Sequence, residues 1–218
     1  METYNTLVEF FIKGGFFMYP IALVFAVGIA IAIERFIYLQ MSKANSRNIW
    51  DQLSPMLRKG DYTKAMEVAG ASKAVVSRVL SYGLQSFRTA RKREDIEVAM
   101  EEGLMEALPR LERRTGYLAT FANICTLLGL LGTIIGLIQA FHAVASADPA
   151  QKANLLSDSI AIAMNTTAFG LIAAIPLLLA HSFLQSKTSE LIDSLEMAVV
   201  KFLNIISERS RATENAPR

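Results

Sequence analysis

Two stretches decide the fold: Tyr117 to Ala147, YLATFANICTLLGLLGTIIGLIQAFHAVASA, and Ser159 to Ser186, SIAIAMNTTAFGLIAAIPLLLAHSFLQS. Neither contains Asp, Glu, Lys or Arg. Each exceeds the roughly 20 apolar residues that a helix needs to cross the hydrocarbon core of a bilayer. Both also carry small and hydroxyl residues at helical steps. In the first, Ala119, Asn123, Thr126, Gly129, Thr133, Gly136 and Ala140 recur at intervals of three and four. In the second, Ala163, Thr167, Gly170 and Ala174 do the same. Residues three and four apart lie above one another on a helix. Lipid is best met by Leu and Ile, so stripes of Gly, Ala and Thr predict close helix packing or the wall of a pore.

A third apolar run, residues 14–33, closes on Glu34-Arg35. It is full length and ends on charges, which reads as a retained span rather than a cleaved signal peptide. Across the 218 residues, 52% are hydrophobic and the mean hydropathy is +0.33. Those averages decide little, because soluble domains come close to them. The segregation of charge into blocks between uncharged runs decides more. The net charge of +2 is too small to argue for nucleic acid as a partner. Cys125 is the single cysteine, so no intrachain disulfide forms, and its place in an apolar run reads as a small buried residue.

The fold class that follows is all-α: an integral membrane protein with three transmembrane helices and long cytoplasmic helical extensions. Residues 1–13 read as an amphipathic interfacial segment, 14–39 as the first span and 40–114 as a cytoplasmic helical domain. Residues 115–147 read as the second span, 148–158 as an outer turn, 159–186 as the third span, and 187–218 as a helical stalk and tail. In the cytoplasmic part, Asp61 after Gly60 is a helix start, with Tyr62, Ala65, Met66 and Ala69 as its apolar side and Gly70 as its stop. Val75, Val76, Val79, Leu80 and Leu84 make a second apolar face. Glu94-Asp95 opens a longer helix striped by Ile96, Met100, Leu104, Leu108 and Leu111, which Pro109 should bend or restart. Ser157 or Asp158 suits the cap of the third span. Beyond it, Leu191, Ile192, Leu195, Val199, Phe202 and Ile206 continue the pattern. Lys and Arg crowd the 40–114 segment and the tail, whereas the 148–158 turn has only Lys152. The positive-inside rule then places the N-terminus outside (periplasmic) and the C-terminus in the cytoplasm.

Three motifs resemble the MotA/TolQ/ExbB proton-channel family. The first is Gly14-Gly15-Phe16-Phe17-Met18-Tyr19-Pro20 followed by Glu34-Arg35. The second is Pro109-Arg110-Leu111-Glu112-Arg113, then Leu118-Ala119-Thr120, then Leu127-Leu128-Gly129-Leu130-Leu131-Gly132-Thr133-Ile134-Ile135-Gly136. The third is Thr167-Ala168-Phe169-Gly170-Leu171-Ile172-Ala173-Ala174-Ile175-Pro176. The three-span layout is similar to the ExbB/TolQ type rather than to the four-span MotA type. The resemblance implies a bacterial inner-membrane pentamer around a dimer of an ExbD/TolR-like single-span subunit carrying a membrane Asp. It implies that H⁺ or Na⁺ flow drives motion used by a TonB-like or envelope client. A non-conducting scaffold and a motility-type stator are the alternatives. Two positions depart from the family: Ile162 stands where ExbB and TolQ carry a glutamate, and Thr126 where the family has proline.

No acid or lysine lies in the core of any span, so no fixed charge is available to hold a cation, and a partner carboxylate must supply it. The candidate ion-path residues are Thr133 and Thr167, then Thr126, Thr166 and Asn165. Their neutral oxygens suit a partly dehydrated hard cation such as Na⁺, which makes Na⁺ as plausible as H⁺. Gly129, Gly132, Gly136 and Gly170 are close-packing positions, and Pro176 a kink. His142 and His181 read as interfacial hydrogen-bonding residues, and Asp158 as a cap or a cation-gathering charge at the outer mouth. No bound cofactor and no resident metal are expected. His181 and Ser182 are adjacent on a helix and point apart, and no His-Glu-x-x-His pattern occurs, so the sequence does not read as an enzyme.

Overall fold

The computed structural model describes residues 14–89 and 92–214. The interfacial segment expected at 1–13 and the residue Arg91 lie outside the described residues. Among these described residues six helices follow in order: α1 (Met18–Lys59), α2 (Tyr62–Ala71), α3 (Val75–Phe87), α4 (Arg93–Glu112), α5 (Thr115–Ser146) and α6 (Lys152–Glu214). No strand occurs among the described residues. Among the described residues, three helical stretches are long and apolar enough to cross a membrane: Met18–Lys59, Arg93–Ser146 and Lys152–Glu208.

The chain divides into two compact units. One comprises the chain up to Glu34 with Arg114–Leu184; the other comprises Arg35–Arg113 with the chain from Gln185 onward. In the first, α1, α5 and α6 pack through small residues. A Cβ at Gly28 of α1 would come within 2.6 Å of Leu177 of α6. Leu118, Ala122, Cys125, Gly129, Gly132 and Ala140 form the buried side of α5. The Cys125 thiol is free and buried, 4.0 Å from the Ile21 carbonyl. Outward-facing Leu23, Leu127, Leu130, Ile134, Ile172 and Leu179 are each about half exposed or more. Water would not tolerate so broad an apolar surface, and lipid or neighbouring protein would. Glu34 and Arg114 pair at 3.0 Å where the uncharged runs end.

In the second unit a water-type core forms from α1 (Leu53, Leu57), α2 (Ala65, Ala69), α3 (Val76, Val79, Leu80, Leu84), α4 (Ile96, Met100, Leu111) and α6 (Leu191, Leu195, Phe202, Ile206). Gly83 lets Met100 and Phe202 close over α3; a Cβ there would stand 2.7 and 2.9 Å from them. Asp61 is the N-cap of α2, accepting from the Lys64 amide at 3.4 Å, and Gly60 supplies the left-handed turn before it. Arg35 is buried, not a boundary charge in water. Its guanidinium donates to the Leu111 carbonyl and lies 4.8 Å from the Tyr38 ring centre.

Three local expectations differ from what forms. Ser157 and Asp158 are not caps, because α6 already begins at Lys152. Pro149 cannot donate, and the Ala-Asn-Leu-Leu run after Lys152 favours helix, so the break between α5 and α6 is 147–151, shorter than the expected 148–158 turn and starting one residue before it. Pro109 stands inside α4, which continues to Glu112; the break falls at Arg113-Arg114, where Arg114 takes a left-handed φ of 66°. Gly70 does not end α2, which runs on to Ala71.

Glu190 accepts from Lys43 and, at 2.9 Å, from Lys187, and these hydrogen bonds pull its carboxyl from the ordinary 4.5 down to about 2. A carboxyl depressed on folding stabilises above its unfolded pKa and loses that contribution as pH falls through its folded one. The melting-temperature difference between the wild type and Glu190→Gln in detergent is therefore expected to be constant above pH 4.5 and to shrink toward zero as pH falls to about 2. A separate control is Gly70→Ala: nothing lies within 4 Å of a Cβ at that helical position. It is expected to stabilise the protein by about 0.5–1 kcal/mol in chemical unfolding.

Candidate ion-path site

The site is built on the crossing of α5 and α6. A Cβ on Gly129 would stand 3.2 Å from Thr167 Cα, and one on Gly170 would stand 2.7 Å from the Cys125 carbonyl oxygen. The two glycines face each other, with the Gly129 Cα 3.1 Å from that same Gly170 position. Gly136 meets Ala163 in the same way at 3.0 Å. Backbones this close bring the first atoms of neighbouring side chains into hydrogen-bonding range.

Thr133 and Thr167 use that closeness. Their hydroxyls bond to each other across the two helices. Thr167 Oγ1 donates to the Gly129 carbonyl at 2.9 Å, and Thr133 Oγ1 lies 3.2 Å from Gly129 O and 3.4 Å from Ala163 O. Two hydroxyls share two protons, so one consistent arrangement has Thr167 donating to Gly129 and Thr133 donating to Thr167. Lone pairs on Thr133 then stay open. Both residues are only half-buried. In that arrangement Thr133 can accept from a protonated carboxyl, and it can donate to an ionised one only by giving up its bond to Thr167.

The other candidates separate from this pair. Thr126 is exposed, about two turns before Thr133, and its hydroxyl bonds back to the Ala122 carbonyl at 3.1 Å. Thr166 is buried on the other side of α6, where it donates to the Gly14 carbonyl at 2.6 Å and lies 3.0 Å from Ile162 O. Its methyl group is what a Cβ at Gly132 would strike, at 2.5 Å. Thr166 thus fastens the start of the first span. Asn165 is half-buried and, at 100° per residue, points about 160° away from Thr167. Ile162 lies about 140° round α6 from Thr167, with its side chain 3.4 Å from a Cβ placed on Gly15. Ile162 is therefore not on the hydroxyl pair's edge.

The stripe of small residues on α5 is not one face. Asn123 and Thr126 are exposed, whereas Gly129 and Ala140 are buried. The two successive three-residue steps from Asn123 to Gly129 each turn back about 60°, carrying the stripe from the open side to the crossing. Pro176 lies inside α6, which continues through it without the amide that would bond Ile172. His142 is exposed on α5, His181 half-buried and Asp158 exposed on α6. No group of three or more His, Cys, Asp or Glu side chains suited to a metal occurs among the described residues. Sequence reasoning missed the carbonyls of Gly14, Gly129 and Ala163 as hydrogen-bond partners. No side-chain signal marks a backbone oxygen.

A glycine-mediated crossing of two uncharged spans, with a hydroxyl pair on its open edge, belongs to a helical membrane protein. The sequence profile of the MotA/TolQ/ExbB proton channel family matches residues 71–197. The chain is 31% identical over 196 residues to a biopolymer transport protein ExbB homolog of Methanothermobacter thermautotrophicus, covering 89% of this chain and 68% of the relative. It is 29% identical over 191 residues to an ExbB-like protein of Synechocystis, covering 86% and 74%. It is 30% identical over 112 residues to the Tol-Pal system protein TolQ of Haemophilus influenzae, covering 51% and 49%. The chain belongs to the MotA/TolQ/ExbB proton channel family. It is a multi-pass membrane protein of a channel family rather than of an enzyme family.

The crossing gives a direct expectation. Gly170→Ala must push α6 off the Cys125 carbonyl, a backbone atom that cannot rotate away. The full-length protein is expected to lose several degrees of melting temperature in detergent, whereas Gly116→Ala, with nothing within 4 Å, should not.

Proposed function

We propose that this chain is the channel-forming subunit of an ion-driven inner-membrane motor of the ExbB/TolQ type. It works with a single-span, ExbD/TolR-like partner whose membrane Asp meets the Thr133–Thr167 pair. The observation that carries this reading is the half-buried hydroxyl pair on the open edge of two spans that have no charge of their own. The assembly is a pentamer of this chain around a partner dimer, with the N-terminus outside and the C-terminus in the cytoplasm. Its client is a TonB-like or envelope-tethered protein.

Magnitudes favour a neutralisation step. One charge crossing 100 mV releases about 2.3 kcal/mol. An ionised carboxylate at the bilayer centre costs roughly 2.5–3.5 kcal/mol on insertion scales. The driving force does not exceed that cost, so a bare carboxylate does not slide past Leu130 and Ile134. Once it takes up a proton from the outer side, it passes as a neutral acid hydrogen-bonded to Thr133 and Thr167. Release to the cytoplasmic side restores the charge and blocks return. H⁺ is the first reading, because the two hydroxyls and the Gly129 carbonyl already satisfy one another. Na⁺ is the second, with the Thr133 and Thr167 hydroxyls and the carbonyls of Gly129 and Ala163 as its oxygen donors.

The test is ion uptake by proteoliposomes holding the chain and its partner under an imposed potential. Thr167→Val, which keeps the shape but removes the hydroxyl, should abolish uptake, and Thr167→Ser should retain it. Full activity of Thr167→Val would return the residue to packing alone. Undiminished uptake with Na⁺ absent would remove the sodium version.

A further inference from the structure

A second polar feature lies away from the spans. In the unit formed by Arg35–Arg113 and the chain from Gln185, a cavity of about 200 Å³ opens between α1 and α6, beside the start of α3. Its lining joins three cations, Lys43, Arg47 and Lys201, to an apolar floor that includes Leu195 and Met197, with Trp50 alongside. No carboxylate lines it. Lys43 is shared with Glu190, but Arg47 and Lys201 form no ion pair with a described residue. Ser46 also lines the cavity; it is 6% exposed, and its hydroxyl has no hydrogen-bond partner. A buried hydroxyl without a partner costs about 1–3 kcal/mol. Beside two unpaired cations, it is a donor awaiting an acceptor.

We propose that this cavity binds a small organic anion. The phosphate or carboxylate head sits against Arg47 and Lys201 and accepts from Ser46; a flat apolar body lies against Trp50 and Leu195. Two sources could offer such a head: a lipid or a soluble molecule. Distance along α1 favours the soluble one. The uncharged run ends at Glu34, and at 1.5 Å per residue Lys43 lies about 13 Å and Trp50 about 24 Å farther along the helix. The headgroup layer adds only about 5–8 Å per side.

Trp50 is the only tryptophan in the chain, so its emission reports this site alone. The experiment titrates full-length protein, in phosphatidylcholine nanodiscs, with phenyl phosphate. A saturable change in Trp50 emission is expected in the low millimolar range or below. Binding should weaken about tenfold in each of Arg47→Gln and Lys201→Gln, the loss of one charge-assisted hydrogen bond. Both side chains are exposed, so these variants should melt like the wild type. Ser46→Ala should weaken binding by a smaller factor, and benzyl alcohol, uncharged, should give no saturable response. Absence of a saturable change in the wild type, or equal affinity in the Arg47→Gln/Lys201→Gln double variant, would overturn the site. Competition from added phosphatidylglycerol would overturn the soluble source and assign the head to a lipid; equal affinity in both nanodiscs supports the soluble source.

Discussion

The close approach of α5 and α6 at Gly129 and Gly170 is the constraint on which the rest of the first unit depends. Lipid tails are as apolar as leucine, so no hydrophobic force brings these two helices together. They associate because the absence of Cβ atoms lets backbone meet backbone, as the 2.7 Å approach to the Cys125 carbonyl shows. At that separation even threonine, with one rotatable bond to its hydroxyl, reaches across. The Thr133–Thr167 contact, the shared Gly129 carbonyl and the Ala163–Gly136 fit follow from the same closeness. A larger residue at either glycine would part the helices and separate the hydroxyls.

The two faces of α6 then serve different ends. On one, Thr166 spends its hydroxyl on the Gly14 carbonyl, which ties the start of the first span to the crossing. On the other, Thr167 stays half-buried and bonds to Thr133 and to the Gly129 carbonyl. Adjacent residues of the same type thus differ because 100° of helix rotation separates them. The Ile162 side chain likewise stands near Gly15, on the fastening side.

Much of the architecture could be read from the residues. The three uncharged runs are set by the cost of charge in lipid, and such a strong constraint leaves a plain trace. The Asp61 cap and the alternation of Val76, Val79, Leu80 and Leu84 are local, and local signals survive in sequence. Thr133 and Thr167 stand out as hydroxyls among Leu and Ile. That they meet each other, while Asn165 and Thr166 turn elsewhere, depends on the relative height and rotation of two helices. No single-helix pattern encodes that. The same limit hides Arg35: beside Glu34 it reads as a water-boundary charge, yet its burial is decided by a carbonyl seventy-six positions away, at Leu111. The start of α6 at Lys152 was hidden because two capping residues, Ser157 and Asp158, stood farther along and matched the usual signal.

On the proposed reading, a wall with hydroxyls but no charge makes ion passage conditional on a second polypeptide. Voltage-driven current through bilayers holding this chain purified by itself, compared with the chain joined by an acid-bearing single-span partner, tests that most directly. The account predicts no selective H⁺ or Na⁺ current from the chain alone and a selective current once the partner is present. A selective current from the chain alone would contradict it.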